Sequence, residues 1–119
     1  MALAQTNLGN ITAVSAGQTT AVYTVGSAQT TYVRSLLLYN QSDSNAQTAT
    51  VHVVPNSGGS AGTAVTGTRI ARIGISTDDT YFFECAYPIT LTANGDTIQV
   101  YNEGTNAAIN VLVLGDREV

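Results

Sequence analysis

Apolar residues in this chain recur at every second position over short stretches, as in Val51 and Val53, Ile98 and Val100, and Ile109, Val111 and Val113. That spacing puts such residues on one face of a β-strand, and no window of about eleven residues carries the three-and-four spacing of an amphipathic helix. The runs are rich in Thr, Val, Ile and Tyr, which fit a pleated, half-buried surface better than a helix. The expectation is an all-β protein.

Turn residues divide the chain into about eight predicted strands. The first surrounds Leu8 to Val14 and the second runs from Thr20 to Val25, with Gly17 and Gly26 as punctuation. Thr31 to Asn40 is apolar on both parities, Val33, Leu37 and Tyr39 on one and Tyr32, Leu36 and Leu38 on the other, which fits a central strand. A polar turn, Asn40 to Asn45, leads into Gln47 to Val54, where Val51 and Val53 are expected in the core and His52 on the opposite face, toward solvent or another subunit. Pro55 ends that strand, and Asn56 to Gly62 reads as a flexible surface loop. The remaining predicted strands are Ala64 to Ser76, Tyr81 to Cys85 with Ile89 to Leu91, Thr97 to Asn102 after an Asn94-Gly95 turn, and Ala107 to Leu114. Strands at these intervals predict a two-layer antiparallel β-sandwich, jelly-roll or immunoglobulin-like. At 119 residues the chain is one domain. Residues 1–10 carry no core pattern and read as an N-terminal arm laid over a neighbour.

Charge is scarce: four arginines, eight acidic residues and no lysine among 119 residues, against about a quarter of the residues in an ordinary soluble domain. Charge keeps free monomers apart, so its scarcity points to a chain packed against neighbours. Net −4 without a basic stripe argues against nucleic-acid binding. Neither a leader-like apolar segment nor a run long enough to span a membrane is present, which predicts synthesis and folding in a cytoplasm, with no membrane partner.

Sites for chemistry are few. Gly58-Gly59-Ser60-Ala61-Gly62 fits the pattern of a hydrolase nucleophile elbow, but that motif needs a following helix and a histidine later in the chain, whereas His52 precedes the serine. One His with one Cys does not make a zinc site, and Cys85 reads as a small buried apolar residue. Asp43-Ser44-Asn45 and Asp78-Asp79 lack calcium-loop spacing and read as turn caps. No catalytic, cofactor or metal residue is assigned, and the chain reads as a non-enzyme. The candidate interface residues are Leu3 and Leu8 on the arm, Arg69 and Arg72, and Leu112 and Leu114 on the outward parity of the last strand. The two arginines fit an ion pair with a neighbouring chain or a solvated surface equally. The six tyrosines fit core packing, interface anchoring or sugar stacking.

The succession Val33-Arg34-Ser35-Leu36-Leu37-Leu38-Tyr39-Asn40-Gln41-Ser42, Ala49 to Pro55, Leu91 to Tyr101 and Val111-Leu112-Val113-Leu114-Gly115 is similar to small β-sandwich virion structural proteins of tailed bacteriophages. The resemblance implies a capsid decoration or cement protein on the capsid exterior, bridging major capsid subunits, with a trimeric homo-oligomer favoured. A tail, neck or fibre-associated module and a carbohydrate-binding module are the alternatives; the latter requires the tyrosines to gather on one exposed face.

Overall fold

The computed structural model describes residues 3–8 and 10–118, the first five through their backbone. Its strands are β1 (Leu3–Asn7), β2 (Thr12–Val14), β3 (Thr19–Thr24), β4 (Thr31–Asn40), β5 (Gln47–Val54), β6 (Arg69–Ile75), β7 (Thr80–Leu91), β8 (Thr97–Asn102) and β9 (Ile109–Glu118). They form two antiparallel sheets, β1-β9-β4-β7 and β3-β8-β5-β6, with β2 continuing the β1 edge along the other half of β9. β1 and β2 therefore share one strand position.

Strand pairing decides between the two sandwich topologies. The outermost segments in sequence pair with each other, β1 and β2 with β9, then β3 with β8, β4 with β7 and β5 with β6. The chain is a long folded-back ribbon wound into two sheets, and that winding is the jelly roll rather than the immunoglobulin arrangement. The central placement expected for Thr31 to Asn40 holds, since β4 lies between β9 and β7.

Inward parity builds the core. Val33, Leu36 and Leu38 of β4, Val111 and Val113 of β9, Ala49 and Val51 of β5, and Ile98 and Val100 of β8 are all buried between the sheets. Val53, expected beside Val51, is only half-buried and packs at the margin of this cluster. One end of the core is closed by amides. Asn40, Gln47 and Asn102 are buried and linked to both sheets: Gln47 Nε2 donates to Asn40 Oδ1 at 2.8 Å, and Asn102 Nδ2 donates to the carbonyls of Val14 and Ala107. At the other end Asp96 accepts from the backbone and side-chain nitrogens of Asn56 and from Ala93 N, tying the β7–β8 turn to the start of the 55–68 segment. Burial opposes its ionisation, but these hydrogen bonds outweigh it and hold the carboxyl below the usual range.

Several boundaries differ from expectation. Residues 3–7 of the expected arm pair with β9, and Leu8 is buried in the core, so this stretch belongs to its own sandwich; Met1 and Ala2 lie outside the described residues. The strand expected from Ala64 begins only at Arg69, after a 3₁₀ turn at Thr66–Thr68. Tyr81 to Cys85 and Ile89 to Leu91 are one strand, β7, in which Cys85 to Pro88 bulge out opposite Arg34. Proline removes a ladder donor, and a bulge accommodates that loss. The last strand runs past Gly115 to Glu118; a Cβ at Gly115 would strike the Tyr32 carbonyl, so glycine allows the two strands to approach there.

Candidate interaction surface

The outer faces of the two sheets differ in what covers them. On the β3-β8-β5-β6 sheet, Thr50, His52, Val54, Thr97 and Gln99 point away from the core, yet all are buried. The 55–68 segment lies over them as a strap: Gln99 Nε2 donates to the Gly62 carbonyl at 3.0 Å, and His52 Nδ1 lies 3.1 Å from the Val65 carbonyl and 3.2 Å from Thr68 Oγ1. His52 is thus 4 % exposed rather than solvent-facing. Its other ring nitrogen meets Thr50 Oγ1 of its own strand at 2.9 Å, so one nitrogen is engaged by the strap and the other by β5. Ser60 sits in the strap's tip, bridged to Ser57, with no α-helix following among the described residues, which is not the geometry of a nucleophile elbow.

Burial lowers the His52 pKa below 6.5, the Val65 carbonyl opposes this and Arg69 adds to it. A depressed histidine pKa means that the imidazole's contribution to stability is full above 6.5 and lost as pH falls through the folded value. Amide protection of Gly62 to Thr68 is therefore expected to fall between about pH 7 and pH 5. Protection factors measured by hydrogen exchange check this. An equal pH response in His52→Gln would disprove the assignment.

Among the described residues, no strap covers the other outer face. Leu37 of β4 faces Leu112 of β9 on one side and Phe82 of β7 on the other. Ile11, one residue before β2, adjoins Leu112 in the same shallow recess of about 240 Å³, which Leu37, Tyr39, Thr80 and Asn110 complete. An apolar row thus crosses the sheet from edge to edge, with Ile11 65 % and Phe82 61 % exposed at its ends. Leu37 and Leu112, between these ends, are half-buried. A solvated face of an antiparallel sheet ordinarily alternates to polar side chains. Burying a side chain of this size contributes about 1.5–3 kcal/mol relative to leaving it in water.

Polar groups rim the row on one side. Arg34 Nε contacts Asp116 Oδ2 at 2.5 Å, and Tyr32 donates to Glu118 Oε1 at 3.0 Å. That hydrogen bond, with burial and the negative charge of Glu118, raises the Tyr32 pKa.

Of the residues singled out from sequence, Leu112 and Leu114 are on this face, Leu112 within the row and Leu114 beside it opposite Ser35. Leu8 is inside the domain and is unavailable to a partner. Leu3 pairs through its backbone with Glu118, and its side chain lies outside the described residues. Arg69 and Arg72 are exposed on β6 of the opposite sheet, where Arg72 pairs with Glu103 of its own chain at 2.9 Å. Sequence reasoning missed Ile11, Leu37 and Phe82. The two-parity apolarity of Thr31 to Asn40 and the Tyr81-Phe82-Phe83 run were the available signals.

The tyrosines do not gather on one face: Tyr23 is buried against Thr31, Tyr32 and Tyr39 lie on one sheet, Tyr101 on the other and Tyr87 on the β7 bulge. Cys85 is half-buried at the start of that bulge, and burial pushes its thiol pKa up, away from a reactive thiolate. Among the described residues, no three His, Cys, Asp or Glu side chains converge as metal ligands, and no helix is long and apolar enough to cross a membrane.

No family model matches the chain, and no curated protein matches it. Among solved structures it is similar to a chain in the structure of infectious bursal disease virus Gt strain, at 7 % identity and a TM-score of 0.40. The match covers 98 % of this chain and 32 % of that one, so this sequence spans about a third of the viral chain's length.

Proposed function

We propose that this protein is a non-enzymatic virion structural component, acting as a capsid decoration or cement protein that docks the uncovered face of its β1-β9-β4-β7 sheet onto major capsid subunits. The observation that carries the reading is the row Ile11, Leu112, Leu37 and Phe82, left open on a domain whose opposite face has its own strap. A partner that covers this row removes apolar surface from water, and symmetry repeats the gain at every copy on a shell. Few charges need to be desolvated in that contact. The jelly roll is an architecture used by viral capsid and lectin domains, which supports a virion setting by analogy of fold. The likeness to tailed-bacteriophage virion proteins in the β4, β5, β8 and β9 segments points the same way. The scattered tyrosines do not favour the sugar-binding alternative.

Co-sedimentation with purified capsids tests the proposal. The chain is expected to pellet stoichiometrically with capsids, and the pair Leu37→Lys and Leu112→Lys is expected to reduce binding at least 100-fold, since each places a charge in the contact. Far-UV circular dichroism and the thermal midpoint of the double variant should stay near those of the parent. Labelling of intact virions confined to the tail would refute the capsid assignment, as would undiminished binding by the folded variant.

A further inference from the structure

β7 forms the free edge of its sheet: β4 pairs with one side of it, and no strand lies on the other among the described residues. Most edges are shortened, charged or broken against pairing. Here the straight part, Thr80-Tyr81-Phe82-Phe83-Glu84, is aromatic, with Tyr81 42 % and Phe82 61 % accessible and Phe83 half-buried against the core. Ladder phase fixes which backbone groups are free. Asn40 N donates to the Asp79 carbonyl at 3.0 Å, so Asn40 and Asp79 form a hydrogen-bonded pair. Antiparallel pairs alternate between bonded and non-bonded. Tyr81 and Phe83, opposite Leu38 and Leu36, therefore direct their amides to β4, and Thr80, Phe82 and Glu84 direct theirs to the open edge. Thr80 N is already held by Asp79 Oδ1 at 2.8 Å, off the β4 ladder as this phase requires.

We propose that this edge pairs with the same edge of a second copy of the chain, antiparallel about a two-fold axis through Phe82. The segment is complementary to itself in that register. Phe82 meets Phe82 with both exchanging N–H to C=O bonds, and Glu84 N–H meets the Thr80 carbonyl at either end. Phe82 side chains adjoin on the outer face and Tyr81 adjoins Phe83 on the inner, which are favourable cross-strand aromatic pairs. Glu84 is set opposite Thr80, not opposite another acid. The ends of the segment enforce the register: the Cys85 to Pro88 bulge stops pairing on one side, and the turn with Asp78 at φ 54° stops it on the other. The contact is isologous and closes at two copies. It also joins the two apolar rows end to end, Phe82 against Phe82, into one band across both molecules. This association is independent of the capsid partner proposed above.

Sedimentation of the purified chain is expected to show twice the 12.3 kDa chain mass at high micromolar concentration. Phe82→Lys is expected to halve that mass. So is Phe82→Pro, which removes the aromatic side chain together with an N–H that faces away from β4, a loss that an edge strand accommodates. In a Cys85→Ser background, Phe82→Cys should be joined to itself by a short bismaleimide, whereas Thr80→Cys should require Glu84→Cys on the other copy. A chain monomeric at that concentration, a trimer, a dimer that survives Phe82→Lys, or a dimer lacking the Phe82→Cys cross-link would each overturn the proposal. Glu84→Pro removes another N–H that faces the open edge, at a residue outside the docking row, and is expected to give a monomer that still pellets with capsids, so loss of the dimer and loss of docking are read separately.

Discussion

Asn40→Ala is expected to lower the thermal midpoint by about 10–20 °C, from a loss of about 3–5 kcal/mol. Asn40 is fully buried, and its amide nitrogen donates to the carbonyls of Asn45, Ile75 and Ser76 at 2.9, 3.1 and 3.2 Å. Its oxygen accepts from Ser42 N and Gln47 Nε2 at 2.9 and 2.8 Å. Alanine removes both functions and leaves buried donors and acceptors with no partner, each at a penalty of about 1–3 kcal/mol. A domain of this size has only about 5–15 kcal/mol of stability in total. Gln47→Ala breaks the same network, so the double variant should lose less than the sum of the single losses. Urea denaturation of the four proteins measures this, and a single-variant loss under about 1 kcal/mol would show that the amides do not close the core.

Leu36 and Leu37 are adjacent in sequence and opposite in consequence. Leu36→Ala is expected to destabilise the domain by about 2–5 kcal/mol, because a fully buried side chain between Val113 and Phe83 leaves a cavity in a close-packed core. Leu37→Ala, on the outer row, should be nearly neutral for stability, within about 1 kcal/mol. On the docking reading proposed above, its effect falls on capsid binding instead. The same denaturation series reads the contrast, and equal losses at both positions would mean that the outer face is already covered within the isolated domain.

Much of the fold was legible because strand periodicity is local. Thr31 to Asn40, Gln47 to Val54 and Thr97 to Asn102 have the observed limits, since alternating burial and flanking turns specify them together. What the pattern could not disclose was pairing across the chain. Residues 3–7 are held by β9 more than a hundred positions away, a relation without any local apolar signature. His52 illustrates the same limit: parity placed it correctly on the outer face, but only the path of the strap buries it. For the candidate surface, Leu112 and Leu114 could be found by parity at the end of the chain. Leu37 could not, because apolarity on both faces of a central strand equally describes burial between layers and exposure to a partner.

The strap has a practical consequence for anyone handling the molecule. Its tip, Ser57 to Ser60, turns through Gly58 and Gly59 at φ 62° and 86°, is exposed, and lies beside the β7–β8 turn, where Asn94 Nδ2 donates to the Gly59 carbonyl. Exposed tips of small residues tolerate inserted sequence. A fluorophore, affinity tag or foreign epitope placed between Gly58 and Gly59 would thus sit at the β7–β8 turn, with none of the residues of the apolar row altered, which makes the tip a handle for labelling the protein.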